Sequence, residues 1–130
     1  MKMLLTAGVA AALLTGLAAP GMAHHSFAMF DLKKIDTIDA TVTKVRWSMP
    51  HVWVYANVAG ADGKMEEWGF ECHAPNLIAR KGWKSSSLKP GDKVSIRHHP
   101  MRDGSKEGSM ISVKLPSGET LRNADSDNQP

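Results

Sequence analysis

Six histidines give this chain its clearest chemical capacity: His24, His25, His51, His73, His98 and His99. A neutral imidazole is the commonest protein ligand for a metal ion and is available near neutral pH. His24 has the most informative position, because it follows Ala23 at the end of a stretch that reads as a secretion signal. Cleavage there leaves His24 with a free α-amine beside its imidazole, so one residue offers two nitrogen ligands. That amine ordinarily titrates near about 8, so a metal displaces its proton at modest cost. One further imidazole completes a T-shaped set of three nitrogens, a histidine brace, and such planar nitrogen donors favour copper(II) among the divalent ions.

His24 is therefore the leading candidate ligand, with His25 beside it and any of the other histidines open as the third donor, and copper is the expected metal. Bland readings stand beside this one. His25 reads equally as an exposed second residue, and His51 as the cap of a strand after Pro50. Met29, Met49 and Met101 are soft donors for copper(I) but form no Met-x-Met cluster, so packing is the simpler reading. Trp53 and Tyr55 alternate on one strand face and make a candidate ligand platform, or else a surface covered by an N-terminal arm. Glu67 and Glu71 share a strand face two steps apart and read as an ordinary solvated side. No Gly-x-Ser-x-Gly, phosphate loop or catalytic cysteine context is present, so no catalytic residue is assigned and enzymatic activity is not expected except through a metal.

The elements that must position these residues begin after the signal. Residues 1–23 hold Lys2, an apolar run over 3–19 and small residues at the cleavage site. The run is too short and alanine-rich for a membrane span of about 20 strongly apolar residues. An uncleaved anchor is the lesser alternative; the expected mature protein is periplasmic, with no stable membrane insertion. Sixteen Lys and Arg against thirteen Asp and Glu give a net charge of +3, and the basic residues are scattered among acids. That pattern is no footprint for DNA or RNA. Cys72 is the only cysteine, which excludes an intramolecular disulfide and suggests a buried, inert thiol.

Residues 24–37 read as an ordered arm with Phe27 and Phe30 as anchors. Strands are predicted over 36–47, 51–58, 65–72, 94–99 and 109–115 from β-branched content and period-two alternation. In the second, Val52, Val54, Ala56 and Val58 face the core; in the third, Trp68, Phe70 and Cys72 do so. Pro75 through Gly82 reads as one helix with basic residues near its carboxyl end and glycine as its stop. The domain spans 38–121, and 122–130 reads as a polar, disordered tail. Three strands, a short helix and two strands give the order of a five-stranded OB-type barrel, with an open sandwich as the alternative.

The chain resembles a family of small exported bacterial proteins classed as a domain of unknown function. The resemblance rests on Ala23-His24-His25-Ser26-Phe27 with Phe30-Asp31, on Trp47-Ser48-Met49-Pro50-His51-Val52-Trp53, and on Glu67-Trp68, Pro75-Asn76 and Gly82-Trp83. It extends through Leu88-Lys89-Pro90-Gly91-Asp92, His99-Pro100 and Arg102-Asp103-Gly104. Met49 stands where members often have Asn, and Cys72-His73 where small residues are common. The resemblance implies export and a barrel-like fold without an established activity, and it favours His51 and His99 as partners of His24. In a simple OB-type barrel His51 and His73 fall at one end and His98 and His99 at the other, so His51 and His99 are not expected to join one site. The alternative function is a binding or assembly module that docks another envelope protein or ligand on the aromatic strand face; a small copper oxidoreductase is a third reading.

Overall fold

The computed structural model describes residues 27–123. His24 and His25, the expected signal and residues 124–130 lie outside the described residues. A 3-10 turn at Phe27–Met29 leads into β1 (Asp36–Arg46), β2 (Trp53–Ala59), β3 (Met65–Glu71), α1 (Pro75–Ala79), β4 (Lys93–Pro100), β5 (Glu107–Lys114) and β6 (Thr120–Arg122). Period-two alternation does what it predicts in β2 and β3. Val52, Val54 and Ala56 are fully buried, and Phe70 and Cys72 join them in a core with Val94, Ile96, Met110 and Val113. Each strand thus exchanges one hydrated face for apolar packing, the main favourable contribution to a small β domain.

The sheet runs β3-β2-β1-β4-β5-β6, and a further pairing of β3 with β5 closes the first five strands into a barrel. Every neighbouring pair is antiparallel except β3 with β5, which run parallel through Gly69↔Glu107, Phe70↔Gly108 and Glu71↔Ser109. Closure decides for the barrel over the open sandwich and leaves β6 as a short addition to β5.

Stagger overturns the expectation that His51 and His99 occupy opposite ends. Following cross-strand partners, Arg46 in β1 leads to Trp53, Glu71, Ser109 and His99. The neighbouring His98 then pairs with Asp36, at the other end of β1. Strands in a closed barrel are tilted and sheared, so a level row leaves a strand at one end and returns to it at the other. The start of β2 and the end of β4 therefore lie on one level, bridged by the β3–β5 seam.

The helix is shorter than the sequence suggests. It stops at Ala79, with Pro75 in its first turn, Ile78 buried and Arg80 at its C-cap, so Arg80 and Lys81 fall beyond its last turn. The chain closes early because Gly82 adopts φ 93° and the Trp83 N–H donates back to the Ile78 carbonyl at 3.2 Å. Trp83 is thereby delivered into the core, where its Nε1 donates to the Arg122 carbonyl at 2.9 Å. Order also extends past the expected domain boundary at 121: Arg122 belongs to β6 and Asn123 is buried.

Adjacent His98 and His99 face opposite ways, as alternation requires. His98 points inward, 1% exposed, and neither ring nitrogen has a protein hydrogen-bond partner. Its ring meets Phe70 and Trp68 edge-on, at centroid distances of 5.2 and 5.9 Å. Space for it comes from Gly108, where an added Cβ would lie 2.3 Å from His98 Nδ1. Burial pushes the imidazole below its ordinary value of 6.5, with the His99 main chain and Asp36 opposing more weakly.

Gly108→Ala is expected to destabilise the fold by about 1–3 kcal/mol through this overpacking, measured by urea denaturation. The depressed value also fixes a pH dependence. The folded state holds His98 neutral, so its contribution is complete above about 6.5 and is lost as pH falls below that value, where the unfolded chain binds the proton more readily. The denaturation midpoint should fall between pH 7.5 and pH 5, and fall less in His98→Met; equal losses in both proteins would remove His98 as the source.

Candidate functional site

His51 sits just before β2, where the Val52 N–H donates to the His73 carbonyl and the Cys72 N–H to the Val52 carbonyl. These bonds dock the start of β2 against the end of β3. The His51 Nδ1 meets the Glu71 carboxylate, and its side chain remains 34% exposed. Glu71 is 7% exposed, unlike Glu67, which stays exposed and accepts a hydrogen bond from Thr43 Oγ1 at 3.0 Å. The two acids are thus not one solvated strand side: the β3–β5 seam and His51 cover Glu71, while Glu67 lies beyond the paired segment. Because a carboxylate only accepts, Nδ1 of His51 carries a proton and Nε2 is the atom left to bind a cation.

His99 presents a parallel case on the outer face. Its Nδ1 lies 2.8 Å from the Lys34 carbonyl, again an acceptor, so the proton resides on Nδ1 and the lone pair on Nε2. The N-terminal arm covers this histidine, leaving it 5% exposed. The arm continues beyond β4 through Asp31 N–H to Pro100 carbonyl, an isolated bridge of Phe30 with Met101, and Arg102 N–H to Met29 carbonyl. Phe30 is buried, as expected of an anchor.

Glu71 and His99 flank Ser109 on either side. Two strand spacings, about 10 Å of backbone, therefore separate the carboxylate that holds His51 from His99. Among the described residues no group of three or more His, Cys, Asp or Glu side chains is close enough to hold a metal ion. His73 lies across from His51 without joining it in such a group; both border a crevice of about 10 Å³ with Glu71, Cys72, Ser109 and Asn123. Cys72 is fully buried, its thiol donating to Met110 Sδ at 3.6 Å, and burial followed by the Glu71 charge pushes that thiol far up from 9.0. A thiol held protonated in this way is a core residue, not a nucleophile.

Trp53 and Tyr55 do share the outer face of β2. Their rings stack 6.2 Å apart at 18° and lie within 3.4–3.5 Å of the place a Cβ on Gly69 would occupy. Lys44 Nζ stands 5.7 Å from the Tyr55 centroid. The rings thus shield the glycine main chain at the seam, a cross-strand packing role.

Residues 11–110 match the family described as Family of unknown function (DUF6152). The chain belongs to that family. No curated protein and no solved structure matches it. The family match includes His24, His51, Glu71 and His99 and stops at Met110, before β6.

Asn123 is the structural residue that sequence reasoning missed. Its Oδ1 accepts from the His73 N–H at 2.9 Å and its Nδ2 donates to the Met110 carbonyl at 2.8 Å, so one side chain ties β3's end to β5. A single Asn at the start of a polar tail carries no periodic signal. Asn123→Ala should remove two hydrogen bonds to the main chain and cost about 2 kcal/mol in chemical denaturation; Asn123→Ala with wild-type stability would show that water replaces both bonds.

Proposed function

We propose that this family member is an exported periplasmic protein that binds a copper-type ion through the amine and imidazole of a mature His24, with His51 supplying the third nitrogen. The supporting observation is the matched orientation of two outward histidines. His51 and His99 each commit Nδ1 to a fixed acceptor, the Glu71 carboxylate and the Lys34 carbonyl, and each keeps Nε2 for a cation. This is the arrangement of metal-ligating histidines, whose outer partners set the tautomer and orient the ring.

Exposure favours His51 as the ligand and His99 as the anchor of the arm that carries His24. The arm is fixed at Met29 by Arg102. His24 lies five residues upstream, a reach of up to about 17 Å from Met29. His25 is the second candidate ligand on the same segment. Docking of another envelope protein on the Trp53–Tyr55 face is the competing reading, with those two rings already packed on Gly69.

The test is a copper(II) titration of the mature protein with a native His24 terminus. One ion should bind tightly, with binding lost when an extra residue precedes His24 and weakened more by His51→Ala than by His99→Ala. Glu71→Gln, which keeps the shape but not the charge, should weaken binding by about 10–100-fold. Binding indifferent to the residue preceding His24 sinks the brace, and no binding at all leaves the docking reading.

A further inference from the structure

Away from the histidines, folding concentrates charge that is scattered in the sequence. Thr37 pairs with Arg97, Arg97 with Ser112 and Ser112 with Arg122; Thr41 pairs with Lys93, and Asp39 with Ser95, which pairs with Lys114. Cross-strand partners share a face, so Lys93, Arg97, Lys114 and Arg122 all stand on the outside of β4, β5 and β6, and all four are exposed. None of them enters an ion pair among the described residues. Asp39 is the one acid at these ladder positions. Residues that are scattered among acids along the sequence thus meet in the fold: register gathers cations that are up to 29 residues apart, Lys93 to Arg122.

Beside this face β1 has an open edge. Its pairing with β2 ends at Thr41↔Asn57, while its pairing with β4 continues to Asp36. The Val42 N–H and carbonyl both turn toward the segment before β4, bonding Asp92 and Gly91. Main-chain groups alternate sides along a strand, so those of Thr37 and Asp39 turn the other way, toward the side that β2 has left. An open groove of about 470 Å³ runs from that side across β1 to β4 and β5, bordered by Asp39, Thr41, Asn57 and Met65, with Lys93 and Lys114 on its basic side. That volume falls in the ~300–1,000 Å³ range of ligand sites. Met65 is 58% exposed and adds an apolar contact.

We propose that the open edge of β1 accepts an extended acidic peptide segment of a partner protein, which pairs with the main chain of Thr37 and Asp39 and sets its carboxylates against Lys93 and Lys114. An unpaired strand edge supplies main-chain hydrogen bonds in register, and alternate side chains of the added strand meet the groove and the cations. A flat anionic membrane would use the charges but neither the edge nor the groove. This site is separate from the His51–Glu71 pair, so the two proposals fail independently.

The experiment uses the full mature chain and a fluorescein-labelled peptide of alternating Glu and Val, followed by anisotropy at low salt. Saturable binding is expected, weakened about tenfold by the pair Lys93→Glu and Lys114→Glu, weakened by added salt, abolished by N-methylating alternate peptide amides, and unchanged by His51→Ala. Both reversals lie on exposed side chains, and an unchanged thermal midpoint confirms the fold. Equal binding of the N-methylated peptide, or of a Lys and Val peptide, overturns the proposal. Phosphatidylglycerol vesicles that retain the protein when the peptide does not bind overturn it in favour of a lipid surface. Self-association abolished by the same reversals overturns it in favour of a second copy.

Discussion

The three residue pairs that join β3 to β5 hold the fold in its closed form, and most of the site's geometry follows from them. Gly69↔Glu107, Phe70↔Gly108 and Glu71↔Ser109 are the only parallel contacts in the barrel, among the described residues. Parallel pairing is slightly weaker per residue than antiparallel, and three pairs make a short seam. Reinforcement comes from both sides of the wall. Inside, Phe70 and the His98 ring fill the space that Gly108 leaves open. Outside, Trp53 and Tyr55 cover Gly69, and Lys106 bridges to Glu66 at 2.6 Å. At one end Asn123 bonds the main chain on both sides of the gap.

Seam and stagger together explain why a polar row can exist on so small a barrel. The interior is filled by Phe70, Ile78, Trp83, Ile96 and smaller apolar residues, and a five-stranded barrel has no room for a ligand beside them. Any chemistry must therefore sit on the outer wall, where side chains are ordinarily mobile and solvated. Here the closure buries Glu71 against Ser109 and the arm buries His99, so both acceptors that orient imidazoles are held in place. Preorganisation of this kind lowers the ordering cost of binding.

Much of the fold was legible because its signals are local. Alternation in β2 and β3 named the buried residues, the Pro75 segment announced the helix, and the adjacent His98 and His99 had to face opposite ways. The β3–β5 pairing had no local signal, since register across a barrel depends on shear accumulated over every strand. Without it, a simple OB-type order puts His51 and His99 at opposite ends and makes Glu71 equivalent to Glu67. The basic face was hidden for the same reason: Lys93, Arg97, Lys114 and Arg122 are interspersed with acids along the chain and come together only through the ladder. Within the candidate site, composition named the imidazoles, but the groups that set their tautomers are a main-chain carbonyl and a glutamate without motif.

The bond from His99 to Lys34 joins two parts of the molecule that the proposed metal site needs at once. It fixes the base of the arm to β4, and the segment beyond Asp31 is fixed again by Pro100 and Arg102. On the proposed reading, a ligand that holds His24 and His51 together binds best when that arm is docked. By linkage, it then stabilises the docked arm by the same free energy that docking contributes to its own binding. Mutations in the arm's anchors, Phe30 or Arg102, would on this account lower metal affinity without touching a ligand. On that proposal the arm is part of the site in an energetic sense, coupled to it through its contacts with the end of β4.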